Sequence, residues 1–194
     1  MRSEPRAWIR AAALALLALA GPARAAEPKH LVERVLAAVD GAPVLLSEVR
    51  LLAALQGLPE ERALEAAIDE RLMFAQATRL TQAALTAEQE EAALQSLRQR
   101  PGAQGWSEAT LRRLARRQAT ILKSVEFRFR SQVRVEDAAV RQLYDAEWAG
   151  KPEAPPFESV QDELRERLAR QALDQRVEAW VRELRAGAEI RRNP

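Results

Sequence analysis

The sequence predicts a mostly α fold, and three observations carry that expectation. Apolar residues recur at helical spacing in most segments beyond Pro59, each time marking one face. Helix start and stop signals fall between those segments: Gly57 and Pro59, Thr86 with Gln89, Pro101-Gly102, and Ser107. Aromatic residues make up only 5% of the chain and much of the apolar content is alanine, which suits close-packed helices around a thin core.

The exception to helix comes first. Two short apolar runs, Arg34 to Val39 and Pro43 to Leu46, flank Asp40-Gly41-Ala42, a strong hairpin signal. Pro43 lacks an N–H, so it opens the second strand or lies on its free edge. Ser47 is expected to cap a first helix that runs to about Gln56 and ends at Gly57. Pro59 opens a longer helix with Leu64, Ile68, Leu72 and Ala75 on one face. Thr86 and Gln89 form a capping box for a third, which runs to about Gln99.

Ser107 begins a fourth helix, with Leu111, Leu114, Gln118, Ile121, Leu122, Val125 and Phe129 down one stripe. Val135-Glu136-Asp137 starts a fifth, through Tyr144 to about Glu147. Ala149 to Pro156 reads as a stiff, exposed linker. Phe157 to Arg185 is one long helical pattern, followed by Gly187 and the strand-like Ala188 to Arg191. Its first half (Phe157, Val160, Leu164, Leu168) and its second (Leu173, Val177, Trp180, Leu184) centre on nearly opposite faces, so each half is expected to serve a different neighbour.

Residues 1–25 read as a secretory signal peptide. Three arginines precede the apolar run Ala11 to Ala20, and Gly21-Pro22 leads to the small-residue site Ala23-Arg24-Ala25. The run is short of the roughly 20 residues a membrane span needs, so no stable membrane insertion is expected after cleavage. Cleavage removes four arginines and one glutamate from totals of 30 basic and 28 acidic residues, changing a net charge of +2 to about −1. The basic excess therefore belongs to the signal and gives no support for nucleic-acid binding. Without cysteine, the chain has no disulfide, thiolate metal site or thiol nucleophile.

The chain shows little that points to catalysis. His30, the single histidine, sits just behind the cleavage site without partner groups, and no phosphate-binding loop or dinucleotide fingerprint occurs. No cofactor or metal is expected. Glu60-Glu61, Asp69-Glu70 and Glu88 to Glu91 are expected on solvated helix faces, although a carboxylate-only acid/base mechanism stays open because sequence does not reveal burial. Arg112-Arg113, Arg116-Arg117 and the arginines from 128 to 134 read as the wet face of the fourth helix, with contact to anionic partners as the alternative. Met73 and Phe127 lie off the main apolar faces. Each is expected either to pack on a second neighbour or to offer an adaptable apolar contact. Trp106, Trp148 and Trp180 read as structural anchors.

The order of elements resembles a known family. The hairpin Val35 to Glu48 is followed by Leu64 to Ala77, then Leu85-Thr-Ala-Glu-Gln-Glu90, Trp106-Ser-Glu-Ala-Thr-Leu111 and Val133 to Tyr144. This succession is similar to the N-terminal domain of SurA-type periplasmic chaperones and, more distantly, to PrsA foldases and trigger factor. Phe157 to Ile190 resembles the C-terminal helix and strand of the same family, whose strand returns to the N-terminal module.

The resemblance implies a signal peptide at 1–25, a helical core at 26–148, a linker at 149–156 and a tail at 157–194 that packs on the core. SurA-like proteins usually carry parvulin prolyl-isomerase domains where this chain has only Ala149 to Pro156, far fewer than the roughly 50 residues a domain needs. The implied function is ATP-independent binding of unfolded segments of exported, chiefly outer-membrane, proteins in the periplasm. Met73, Phe74, Phe127 and Trp180 are the candidate peptide-binding residues. A prolyl isomerase acting without a parvulin domain, and a helical adaptor for one fixed partner, are the alternatives. Homodimerisation by exchange of the tail is a further possibility that the sequence leaves open.

Overall fold

The computed structural model describes residues 33–193. The signal segment 1–25 and His30 lie outside the described residues. Among the described residues the fold is six α-helices and one small antiparallel sheet.

Strands β1 (Val35–Val39) and β2 (Ala42–Leu45) form the hairpin. Asp40 and Gly41 turn it with φ of 48° and 80°, both left-handed, as a two-residue turn that matches strand twist requires. The sheet order is β2-β1-β3, so Pro43 sits on an edge strand, where its missing N–H does least harm. Strand β3 (Ile190–Arg192) pairs with β1 from the far end of the chain, Val39 opposite Ile190 and Ala37 opposite Arg192. Asp40 and Glu189 exchange bonds at its start, and the Asn193 amide donates to the Leu36 carbonyl at its end. The strand lies slightly later than the expected 188–191 because the preceding helix runs on to Gly187.

Helix α1 (Leu46–Gln56) begins one residue before the expected cap. Strand β2 runs straight into it, and the Glu48 carboxylate accepts from the N–H of Leu45, the residue just before the helix. The Ser47 hydroxyl bonds instead to Glu33 at 2.7 Å. Gly57, at φ 65°, closes the helix. Helix α2 (Glu60–Ala77) follows Pro59. Thr86 and Gln89 form the reciprocal box at the start of α3 (Ala87–Arg98). Gly102 follows it, packed so tightly on α1 that a Cβ there would run into the Ala54 carbonyl. Ser107 caps α4 (Glu108–Phe129) through the Thr110 N–H.

Two faces differ from the expected stripes. On α2 the buried residues include Ala63, Ala67, Ile68, Leu72 and Ala77, whereas Leu64 is half-buried and Ala75 exposed. Neighbours on more than one side rotate the contact surface onto the alanines, which let helices approach closely. On α4, Leu122 is 60% exposed. The stripe runs through Ile121, Val125 and Phe129 at four-residue steps, and Leu122 falls at its margin, about 60° round the helix from its centre.

Helix α5 (Asp137–Trp148) packs against the first half of α6 (Phe157–Gly187), with Val140 and Leu164 buried. The stretch expected to be a stiff, exposed linker is held in place: the Tyr144 hydroxyl donates to the Pro155 carbonyl at 2.6 Å, and Tyr144 meets the Phe157 ring edge-on. The second half of α6 packs on α2 and α4. Arg185 pairs with Asp69 and with Glu65, and Arg192 reaches Glu65 at 2.7 Å. The two halves of α6 thus serve different neighbours, as the opposed apolar faces predict.

The main core joins β1, β2 and helices α1 to α4 through Val39, Val44, Leu52, Ile68, Leu94 and Leu114. Five buried alanines, Ala37, Ala63, Ala67, Ala103 and Ala115, thin it, in line with the composition.

Candidate functional site

A second, smaller apolar cluster marks where α6 crosses α4. Ile121, Val125 and Phe129 meet Trp180, and Met73, Phe74, Leu173 and Val177 pack around them. The Phe129 and Trp180 rings lie edge-on with centroids 5.7 Å apart. The Arg128 guanidinium covers the pair, 5.2 Å from the Trp180 centroid. Met73, Phe74 and Trp180 are therefore brought together, but as packing partners: Trp180 is buried and anchors α6. Phe127 is set apart. It is 58% exposed, on the side of α4 away from the Trp180 cluster.

Open hollows follow one another along α4. The first, about 490 Å³, is floored by Phe74, Ala77, Leu80 and Leu85 and edged by Arg113 and Arg116. The second, about 440 Å³, holds Phe127 with Gln82, Lys123 and Arg130. The third, about 420 Å³, opens between α4 and α6 and is lined by Val133, Ala169, Leu173, Arg130 and Arg170. Glu126 and Arg130 line both of the last two, so these hollows meet across the end of α4. Phe74 and Phe127 thus stand in separate hollows beside α4, and Trp180 braces the helix that walls the third.

Beside the first hollow lies an ionic cluster that runs against the sequence expectation. Glu70 and Arg117, expected on wet faces, are almost out of solvent. Arg117 donates from Nε to Glu70 at 2.7 Å and from Nη1 to Glu48 at 2.8 Å, while Arg71 reaches Glu48 at 2.7 Å. Burial pushes the Glu48 carboxyl up, but the hydrogen bond and charge of Arg117, with Arg71 and the Leu45 N–H, outweigh it and hold the group below the usual carboxylate range. Burial likewise works against the charge on Arg117, and Glu70 and Glu48 overcome it, raising its pKa. The signal missed in sequence is spacing: Glu70 lies three residues after Ala67 and seven after Ala63, on the alanine ridge.

The cluster ties α1, α2 and α4 together, and its carboxylates are occupied by arginines. Asp69 is likewise drawn into a tertiary pair, with Arg185. Among the described residues, no group of three or more acidic or histidine side chains is placed to hold a metal ion, and no helix is long and apolar enough to cross a membrane.

No protein-family model matches this chain, and no curated protein matches it either. The functional reading therefore rests on the chain's own residues.

Proposed function

We propose that this chain is an ATP-independent chaperone of the Gram-negative periplasm that binds unfolded segments of exported proteins, outer-membrane proteins chief among them. The observation that carries the reading is the succession of open, largely apolar hollows along α4, with Phe127 exposed in the middle one. An extended client would lay apolar side chains into them one after another. Each side chain removed from water contributes about 1.5–3 kcal/mol, and ordering the client takes most of that back. The net affinity is modest, so clients leave by folding or by transfer, and no nucleotide is needed for release. The order of hairpin, helices, returning strand and the signal-like segment at 1–25 supports the same reading through its resemblance to SurA-type chaperones.

Promiscuity tests the proposal against a fixed-partner adaptor. The processed protein is expected to suppress aggregation of several unrelated unfolded proteins at near-stoichiometric ratios. Stoichiometric capture of one partner, with no effect on the others, overturns it.

A further inference from the structure

The hollow between α4 and α6 is lined by two arginines, Arg130 and Arg170, that form no salt bridge among the described residues. Earlier on α4, Arg112, Arg116 and Arg117 each hold a carboxylate, and on α6 so do Arg165, Arg167 and Arg185. Where the two helices cross, that pairing stops. Among the described residues, Arg128, Arg130, Arg170 and Arg176 form no salt bridge. Arg130 and Arg170 line the hollow itself. Arg128 lies over the Trp180 ring, and Arg176 donates to the Gln132 amide oxygen at 3.2 Å, next to that same turn. Glu126 is the only carboxylate in the lining, against Val133, Ala169 and Leu173 as its apolar floor.

An apolar seat with excess guanidinium charge at its rim fits a ligand that is apolar at its centre and acidic at its flanks. We infer that this hollow selects, among unfolded client segments, those whose apolar side chains are bordered by aspartate or glutamate. The inference rests on the chaperone reading above and adds a charge preference to it. A peptide segment fits better than an anionic membrane surface. The arginines rim a recess between two helices, which receives a projecting side chain, whereas a bilayer offers a flat face. Guanidinium groups suit the task because they pair carboxylates in a planar fork and keep their charge throughout. Such a rim speeds encounter and sorts partners more than it adds affinity.

The test uses the processed protein and three fluorescent peptides that share one apolar centre and differ only in glutamate, serine or lysine flanks. Fluorescence anisotropy is expected to show the glutamate peptide binding roughly tenfold tighter than the lysine peptide at low salt. The gap should close as added salt shortens the screening length to ~3 Å at about 1 M. The double variant Arg130→Glu/Arg170→Glu is expected to reverse the order. Both side chains are exposed and unpaired, so its thermal melt should match the parent. Arg100→Glu, at an exposed arginine that forms no salt bridge among the described residues and lines none of the three hollows, should leave the order unchanged.

Equal affinity for all three peptides removes the charge preference and leaves the chaperone reading standing. A preference that survives the double reversal, or one lost in Arg100→Glu, overturns the assignment to this hollow. Binding of phosphatidylglycerol vesicles without discrimination among the peptides overturns it in favour of a membrane surface. Failure to bind any of the peptides overturns both proposals.

Discussion

The Nε of Arg117 lies 2.7 Å from a Glu70 carboxylate oxygen, an ion pair sealed between α2 and α4. Removing one partner from a buried pair leaves the other charge uncompensated, which is far more damaging than losing the attraction itself. Arg117→Met is expected to destabilise the fold by about 3–5 kcal/mol in urea denaturation, since it strands Glu70 and also takes one of the two arginines that pair with Glu48. The triple change that also makes Glu48 and Glu70 uncharged and apolar should recover much of that loss. A single variant that unfolds at the parent midpoint would show that the cluster is not holding the helices.

The same cluster sets an acid limit. Glu48 has a lowered pKa in the fold, so the unfolded chain takes up its proton first as pH falls. The stability it contributes is fully present above the ordinary glutamate value of about 4.3 and is lost as pH drops through the lower native value. Glu48→Gln should reduce stability at neutral pH and flatten its decline below about pH 4. Parallel acid profiles for parent and variant would contradict this.

Trp180 and Phe127 separate structure from binding. Trp180→Ala opens a cavity under α6 and is expected to cost about 3–5 kcal/mol, measured by the thermal or denaturant midpoint. Phe127→Ser, at an exposed site, should change stability by no more than about 0.5 kcal/mol while weakening suppression of client aggregation. The opposite pattern would exchange the roles assigned to these residues.

Ser124 carries the one buried side-chain oxygen without a hydrogen-bond partner among the described residues. Such a group carries a desolvation penalty of about 1–3 kcal/mol. Ser124→Ala is therefore expected to leave the melting temperature unchanged or raise it, and a clear fall would reveal an unseen partner.

What could be read in advance was what chemistry writes locally. The Thr86–Gln89 box, the Ser107 cap, the Asp40-Gly41 turn and the opposed faces of α6 each depend on residues close in sequence, and each stands as expected. The misplacements share a different cause. Glu70 and Arg117 look like surface charges until tertiary contact brings them together across 47 positions. Ser47 is not the cap because the helix already starts at Leu46, and its hydroxyl turns to Glu33 instead. Leu122 satisfied the periodicity but lies beyond the reach of α6. The return of the last strand to the N-terminal module entered through the resemblance, and its pairing with β1 could not be read at all, since three strand residues near the end of a chain carry no address of their own. The hollows were illegible for the same reason as the ion cluster. They are spaces between elements, and only Phe74 and Phe127 among the four candidates lie in them.

The central claim is that clients lie along α4, and site-specific photocrosslinking measures it most directly. A photoreactive residue in place of Phe127 is expected to capture an unfolded outer-membrane protein. The same residue in place of Glu178, an exposed position on α6 that lines none of the three hollows, is expected to capture little. Equal capture at both positions, or capture at Glu178 alone, would contradict the account.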